Sequence, residues 1–468
     1  MSMMKGFSNA FRIPELRKKI LITLGLVFVC RLVSQIPTPG VDWQTLQKLV
    51  ADLKSQSGGG GMLDLFDVFT GGALGQCAIG FLSIWPYISA QIVIQLLSSV
   101  IPSLEKLKKE GESGRQQLAQ ITRWLTIVLC VVQSWGIATA LSHPAALGDA
   151  FAGVEIVTNP GIGFHLMTVI GMTTASLFVM WLADQITTFG IGNGASLIIM
   201  INITSRLPAA LISAWERYFG LAGVEASAPI AEMPIVVGFF LLVVMGTVML
   251  TQGVRKVAIH TTRRSVGGGS TYGMQQTFMP LRVNYTGVMP IIFAQPLIQI
   301  PAAILVKITD PTAGGISGKL NAFAQGLSNP SKPSVLYLVI YAALIMFFAF
   351  FWVATQFNAV DISDNLKKDG SYVPGIRPGR ATAEYLDDLM TKITLIGGTG
   401  LLVVALIPLV LMGWMSIPWA IASFLGGTSL LIIVGVALDT LRIMESHLLV
   451  RKYEGFLSHG SLRGRGGM

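Results

Sequence analysis

Long apolar runs separated by polar segments organise this chain. Ten runs stand out, at 20–36, 76–100, 124–141, 166–182, 195–211, 235–250, 288–306, 335–353, 393–412 and 417–438. A bilayer core takes about 20 apolar residues in a helix, with about 17 at the lower end. Each run therefore predicts a helix that crosses a membrane. The fifth is the weakest, because Asn202 and Arg206 interrupt it, and the first contains Arg31. A further apolar stretch at 62–69 is too short to cross. Glycines at 58–61 precede it and Thr70, Gly71 and Gly72 follow it. A short helix at membrane depth must be buried in protein or line a watery cavity, and flanking glycines would let it hinge. An interfacial re-entrant loop with no moving part fits the same pattern.

Composition agrees with the pattern. Hydrophobic residues make up 52% of 468, charged residues 12%, and the mean hydropathy is +0.65. Ordinary soluble domains carry about 25% charged residues. So few charges cannot build a surface that faces water on all sides, and lipid must solvate much of the exterior.

Charge placement sets the orientation. The chain has a net charge of +9 and a pI near 9.5. With ten spans, the segments 1–19, 101–123, 253–285, 357–392 and the carboxyl tail fall on one side and hold 25 Lys and Arg. The segment 183–194 on that side holds none. The opposite segments hold seven, and Arg31 completes the 33. Cytoplasmic loops carry the basic excess in membrane proteins, so both termini are expected in the cytoplasm. Two of these loops exceed what topology needs. The loop at 253–285 includes Arg255, Lys256, Arg263 and Arg264, and the loop at 357–392 includes Lys367, Lys368, Arg377 and Arg380. Paired basic residues on long projections suit a phosphate backbone or an acidic protein face.

Five spans in each half would make repeated halves run in opposite directions. Such inverted repeats place a transport path near the membrane midplane. No strong internal sequence repeat accompanies this parity. The seventh run carries Pro290, Pro296 and Pro301, each of which removes a backbone donor. That reads as an ordinary kink or as a span able to shift. Gln91, Gln95 and Asn284 are uncharged polar groups that need partners in lipid, either in static packing or in a gate.

Other chemistries lack their residues. No Asp or Glu lies well inside a run; Asp184 and Asp439 sit at cytoplasmic ends. Coupled carriers use buried carboxylates or broken-helix carbonyls to hold their ion. No GxxxxGK[ST] loop and no HExxH motif occurs, which argues against a nucleotide site and an intramembrane metalloprotease. The glycine-rich 190–194 precedes a span instead of the helix of a βαβ unit. His143, His165, His260, His447 and His459 are scattered, so no metal or cofactor is expected. Cys30, Cys77 and Cys130 share no metal or redox spacing and read as packed thiols. The polar, amphipathic start at 1–19 and the absence of a small-residue cleavage site argue against a cleavable leader.

Seven strings, in order from the first run to the tenth, resemble the SecY/Sec-alpha family of protein-conducting channels. They are RLVSQIPTPGVD (31–42), FTGGAL (69–74), WPYISA (85–90) with QLL (95–97), KKEGESGR (108–115), GIGNG (190–194), PGIRPG (374–379) and GGTSLLI (426–432). The resemblance implies an all-α polytopic protein with ten transmembrane helices. They would form two pseudo-symmetric inverted five-helix halves around a central pore, closed by a short plug helix. The divisions would be a cytoplasmic start at 1–19, a first half at 20–213, an external hinge loop at 214–233, a second half at 234–440 and a cytoplasmic tail at 441–468.

By motif, the pore ring would comprise Ile84, Ile88, Ala195, Ile199, Ile292 and Ile432. The plug would lie at 62–72, with Leu63, Leu65, Phe66, Val68, Phe69, Gly71 and Gly72. The lateral gate would lie between the second and seventh spans, with Gln95 and Asn284 in its polar cluster. Arg255 and Lys256 match a loop that docks the ribosome or the motor ATPase SecA. Arg377 matches a basic residue needed for work with that motor. The implied activity is passage of unfolded secretory polypeptides and lateral release of membrane segments into lipid, at the bacterial inner membrane. Small companions, SecE and SecG, and contact of cytoplasmic loops with ribosomal RNA follow from the same resemblance. Ala195 is smaller than the aliphatic side chain usual there, which predicts a looser ring, and the glycines at 267–269 depart from the family loop. The competing expectation is a secondary transporter of a small solute.

Overall fold

The computed structural model describes residues 13–42, 45, 77–143, 156–220, 229–261, 275–309, 316–328, 334–415, 417, 421–422 and 426–459. Helices dominate them, and the chain falls into two compact units. Described residues up to Arg206, together with those from Val436 onward, form the first. Leu207–Gly435 forms the second.

The first unit contains α1 (Pro14–Val33), a 3₁₀ turn (Ile79–Leu82), α2 (Trp85–Val100), α3 (Pro102–Lys109), α4 (Glu112–Ser142), α5 (Ile162–Phe189) and α6 (Gly194–Thr204). Proline opens α1, α2 and α3, where its missing N–H removes no helical bond. The start of α6 is capped by Asn193, whose Oδ1 accepts from the Ser196 N–H at 3.1 Å. Helices α4 and α5 pack along each other, and α4 shows what solvates the outside. Its buried face is small or polar: Thr122, Thr126, Cys130, Ser134 and Ala138, at four-residue spacing. Its exposed face is Trp124, Val128, Val132 and Trp135. Water would demand the reverse arrangement. Lipid permits it, because small residues let helices approach while apolar side chains meet acyl tails. The buried hydroxyls are satisfied within the helix: Thr126 Oγ1 donates to the Thr122 carbonyl at 2.8 Å and Ser134 Oγ to the Cys130 carbonyl at 2.6 Å.

The second unit contains α7 (Leu207–Phe219), α8 (Met233–Gln252), β1 (Val254–Thr261), β2 (Gln275–Arg282), α9 (Met289–Ile308), α10 (Ile316–Ser328), α11 (Val335–Gln356), α12 (Ala359–Lys368), β3 (Ser371–Tyr372) and α13 (Arg380–Met415). The last helix, α14 (Gly427–His459), begins here and ends in the first unit. The core gathers Val243 of α8, Ile291, Ala294, Ile298 and Ala302 of α9, Tyr337, Tyr341 and Ile345 of α11, and Leu401 and Val404 of α13. Among the described residues, eight helical stretches are long and apolar enough to cross a membrane. Two expected spans are not among them. The helix α1 overlaps the first, but Glu15, Arg17, Lys18 and Lys19 charge its opening turns. The helix α14 overlaps the last run but extends into a charged segment.

One element lies outside the helical expectation. The three strands form a small sheet in the order β2-β1-β3, antiparallel throughout. It joins the two long loops, at 253–285 and 357–392, that the sequence presents separately.

Candidate constriction, gate and docking residues

The first pair of expected ring residues stands where α2 begins. Ile84 is its N-cap residue and Ile88 lies one turn on, its N–H donating to the Ile84 carbonyl at 3.1 Å. Both side chains are buried, at 2% and 8% exposure. The chain reaches this point through a tight path. A Cβ on Gly80 would come within 2.8 Å of the Val33 carbonyl, so the 3₁₀ turn approaches the end of α1 more closely than a side chain allows. Ser83 then takes φ +47° and ψ −134°, a conformation that glycine prefers.

Ala195 and Ile199 repeat the same four-residue spacing in the opening turns of α6, and both are half-buried. Ile292 lies in the first turn of α9 and is half-buried. Its neighbour Ile291 starts the stripe Ile291, Ala294, Ile298 and Ala302 that packs into the core. One residue advances a helix by about 100°, so Ile292 leaves that packed face. Ile432, in the second turn of α14, is 4% exposed. All six carry aliphatic side chains, and none is among the exposed large hydrophobics.

Gln95 is half-buried on α2, where Ser98 Oγ donates to its backbone carbonyl at 2.7 Å. Asn284 is half-buried in the turn before α9, and its Oδ1 accepts from Thr286 Oγ1 at 3.3 Å. The residues expected in the plug, at 62–72, lie outside the described residues, as do the glycines at 267–269.

Arg255 and Lys256 are exposed on β1, opposite Leu281 and Pro280 of β2. Strand neighbours point to opposite faces, so the pair presents a positive charge on each. Arg377 is exposed between β3 and α13. Its backbone is fixed: its carbonyl accepts from Thr382 Oγ1 at 2.9 Å, and Ser363 Oγ donates to the Gly379 carbonyl at 2.7 Å. The side chain thus projects from a rigid turn. Among the described residues, no group of three or more metal-ligating side chains is assembled.

Residues 78–441 match the SecY family model. This chain belongs to the SecY family. A protein translocase subunit SecY from Streptomyces galbus is 42% identical over 458 residues, covering 97% of this chain and all of the relative. The corresponding subunit of Escherichia coli (strain K12) is 38% identical over 452 residues, covering 97% and 96%. In shape, a solved protein-conducting channel matches with a TM-score of 0.60 at 18% identity, covering 94% of this chain and 96% of that one. Sec61 in a canine ribosome–channel complex matches at 0.56 and 17%. The SecY fold is therefore shared well beyond recognisable sequence identity, and this chain is a multi-pass membrane protein of that fold.

Sequence reasoning missed three positioning devices. Asn358 caps α12, its Oδ1 accepting from the N–H groups of Val360 and Asp361. Arg217 ties the end of α7 to Glu232 at 3.4 Å and to the Met415 carbonyl at 3.0 Å. Asn321 of α10, 2% exposed, caps the end of α9 through the Thr309 carbonyl at 2.7 Å. An Asn before a polar helix is a readable signal; the other two depend on packing between elements distant in sequence.

Proposed function

We propose that this chain is the protein-conducting subunit of a bacterial Sec translocase, passing unfolded polypeptides through a ring formed by Ile84, Ile88, Ala195, Ile199, Ile292 and Ile432. The similarity to translocase subunits over 97% of the chain carries this reading. The chemistry of the residues suits it. A conduit for any sequence must hold none of them strongly, and aliphatic side chains offer no hydrogen bonds. An empty apolar constriction also dewets and so impedes ions. A bare peptide group costs several kcal/mol in hydrocarbon, at order of magnitude, which makes a watery path necessary. Ala195 leaves the ring looser on its side. Segments 62–72 would form the plug, and separation near Gln95 and Asn284 would release membrane segments laterally into lipid.

The two five-helix halves would span 20–213 and 234–440, joined by the hinge at 214–233, with both termini in the cytoplasm at the inner membrane. SecE and SecG are the expected companions. Arg255, Lys256 and Arg377 would dock SecA or the ribosome, with ribosomal RNA as one surface met by the loops. Hydrolysis would belong to the motor, and this chain would have no nucleotide site. The small-solute transporter draws no support. Asp184 is ion-paired with Arg123 at 2.7 Å on a water-accessible helix end, and Asp439 lies 3.6 Å from Arg442. Neither is a buried carboxylate poised to couple an ion.

A stalled secretory chain tests the ring. Crosslinkers on Ile84→Cys and on Ile432→Cys should capture it, whereas one on the exposed Trp135→Cys should not. Capture at Trp135→Cys alone would defeat the proposal.

A further inference from the structure

We infer that Asn202, with Arg31 and Ser176, is a positioning group for the constriction: it holds Ser83 in a left-handed turn and thereby sets Ile84. The inference rests on the reading of Ile84 as a ring residue. Ser83 immediately precedes Ile84, and with φ +47° and ψ −134° it occupies backbone space that costs a side-chain-bearing residue free energy. Such a conformation persists only where the surroundings impose it. Here the Oγ and the carbonyl of Ser83 are gripped from other helices, while its N–H donates to the Gly80 carbonyl at 3.0 Å. Its Oγ accepts from Asn202 Nδ2 of α6 at 3.1 Å, and its carbonyl accepts from Ser176 Oγ of α5 at 2.7 Å. Asn202 is itself oriented, because its Oδ1 accepts from Arg31 Nη1 of α1 at 3.2 Å. Asn202, Ser83 and Ser176 are 1%, 3% and 2% exposed.

Helices α5 and α6 therefore converge on one residue at the point where the chain turns into α2, and α1 acts on it through Asn202. The turn fixes the direction in which Ile84 leaves the backbone, and Ile88 follows one helical turn later. Within lipid, Arg31 and Asn202 are costly residues unless they are paired. Their pairing here carries an orientation to the first residue of the ring. Burial without strain would need no such arrangement: an apolar residue at 202 would fill the same volume.

The test uses the assembled complex in sealed vesicles and reads resting ion conductance, beside complex yield and thermal stability. Four variants are compared. Ile84→Ser alters the ring itself. Asn202→Leu removes its bonds to Ser83 and Arg31 at similar volume. Ser83→Ala removes the Oγ grip but keeps the strained backbone. Ser83→Gly removes the same bond but adopts φ +47° at no steric cost. Losing one buried hydrogen bond of ordinary strength shifts a two-state population by about fivefold. Ser83→Ala should therefore raise the leak by about that factor and Asn202→Leu by at least as much, while Ser83→Gly should stay near the unaltered value. A role in packing alone predicts the opposite order for Ser83, with glycine worse than alanine, and that order would overturn the inference. So would unaltered conductance in Asn202→Leu, or in Ser83→Ala should Asn202→Leu fail to assemble. An Ile84→Ser leak with silent Asn202 and Ser83 variants rejects positioning and spares the ring. Silence from Ile84→Ser removes the ring reading of Ile84, and the inference with it.

Discussion

His260 of β1 lies opposite Tyr372 of β3, their ring centroids 5.8 Å apart and their planes at 70°. This pairing makes one structure of the two long loops at 253–285 and 357–392. Beneath the sheet, Val257 and Leu281 of the hairpin pack with Val353, Phe357, Val373, Leu386 and Met390. The exposed Arg255, Lys256 and Arg377 are thus carried by a common hydrophobic base that continues into α11 and α13. A partner that presses on the loops presses on those two helices.

That base predicts the cost of hollowing it. Leu386 is fully buried at its centre. Leu386→Ala should destabilise this cluster beneath the sheet by about 2–5 kcal/mol, the range for truncating a buried leucine. Thermal unfolding of the purified protein reads this, with the exposed Leu395→Ala as comparison. Equal stability of the two variants would show that the sheet does not depend on this cluster.

Charge reversal at Arg377 should leave the fold alone. The backbone of Arg377 is held by Thr382, and its side chain is exposed. Arg377→Glu should therefore unfold like the unaltered protein while motor-driven secretion in reconstituted vesicles falls by about tenfold or more, the effect of roughly 1.4 kcal/mol lost at an interface. Normal export by this variant would count heavily against the docking assignment.

How much of this was legible beforehand depended on the kind of signal. Eight of the ten apolar runs coincide with described helices long and apolar enough to cross a membrane, because lipid selects composition directly. The ends of the helices were hidden, since hydropathy marks where lipid stops and a helix can continue into water. The helix α13 starts at Arg380, well before the apolar run at 393, and its exposed turns carry the pairs Arg380–Glu384 at 2.9 Å and Asp388–Lys392 at 2.7 Å. Arg31 and Asn202 were visible only as interruptions of two separate spans. Their bond joins positions far apart in sequence, and no local pattern announces it. The sheet was missed for a different reason. The inward alternation of Val257 and Ile259 is a strand signal, but it sits beside Arg255 and Lys256 in a segment whose charge suggested a loop. The ring and gate positions came from motif resemblance, because an aliphatic residue in an apolar helix looks the same wherever it points.

The plug assignment has a functional test independent of the described residues. Deleting 62–72 should raise resting ion conductance of vesicles containing the complex, because the remaining apolar ring then holds the seal alone. An unchanged leak would remove the plug from the proposal and leave the ring in place.

At the opposite end of α9, Asn321 determines how firmly the helix is tied down. Its Nδ2 donates to the Thr309 carbonyl at 2.7 Å and to Thr309 Oγ1 at 3.0 Å, and its Oδ1 accepts from Gln325 Nε2 at 2.7 Å. The last carbonyls of a helix have no partner within it, and Asn321 supplies one from α10. Asn321→Leu keeps much of the volume but removes the side-chain donor to the buried Thr309 carbonyl. A stranded buried group costs about 1–3 kcal/mol, less whatever water recovers. The variant should show a lower unfolding temperature and faster amide exchange in the last turn of α9, with exchange at the opening turn near Ile291 unchanged. Equal slowing or quickening along the whole helix would mean that Asn321 acts on overall stability and does not anchor this end.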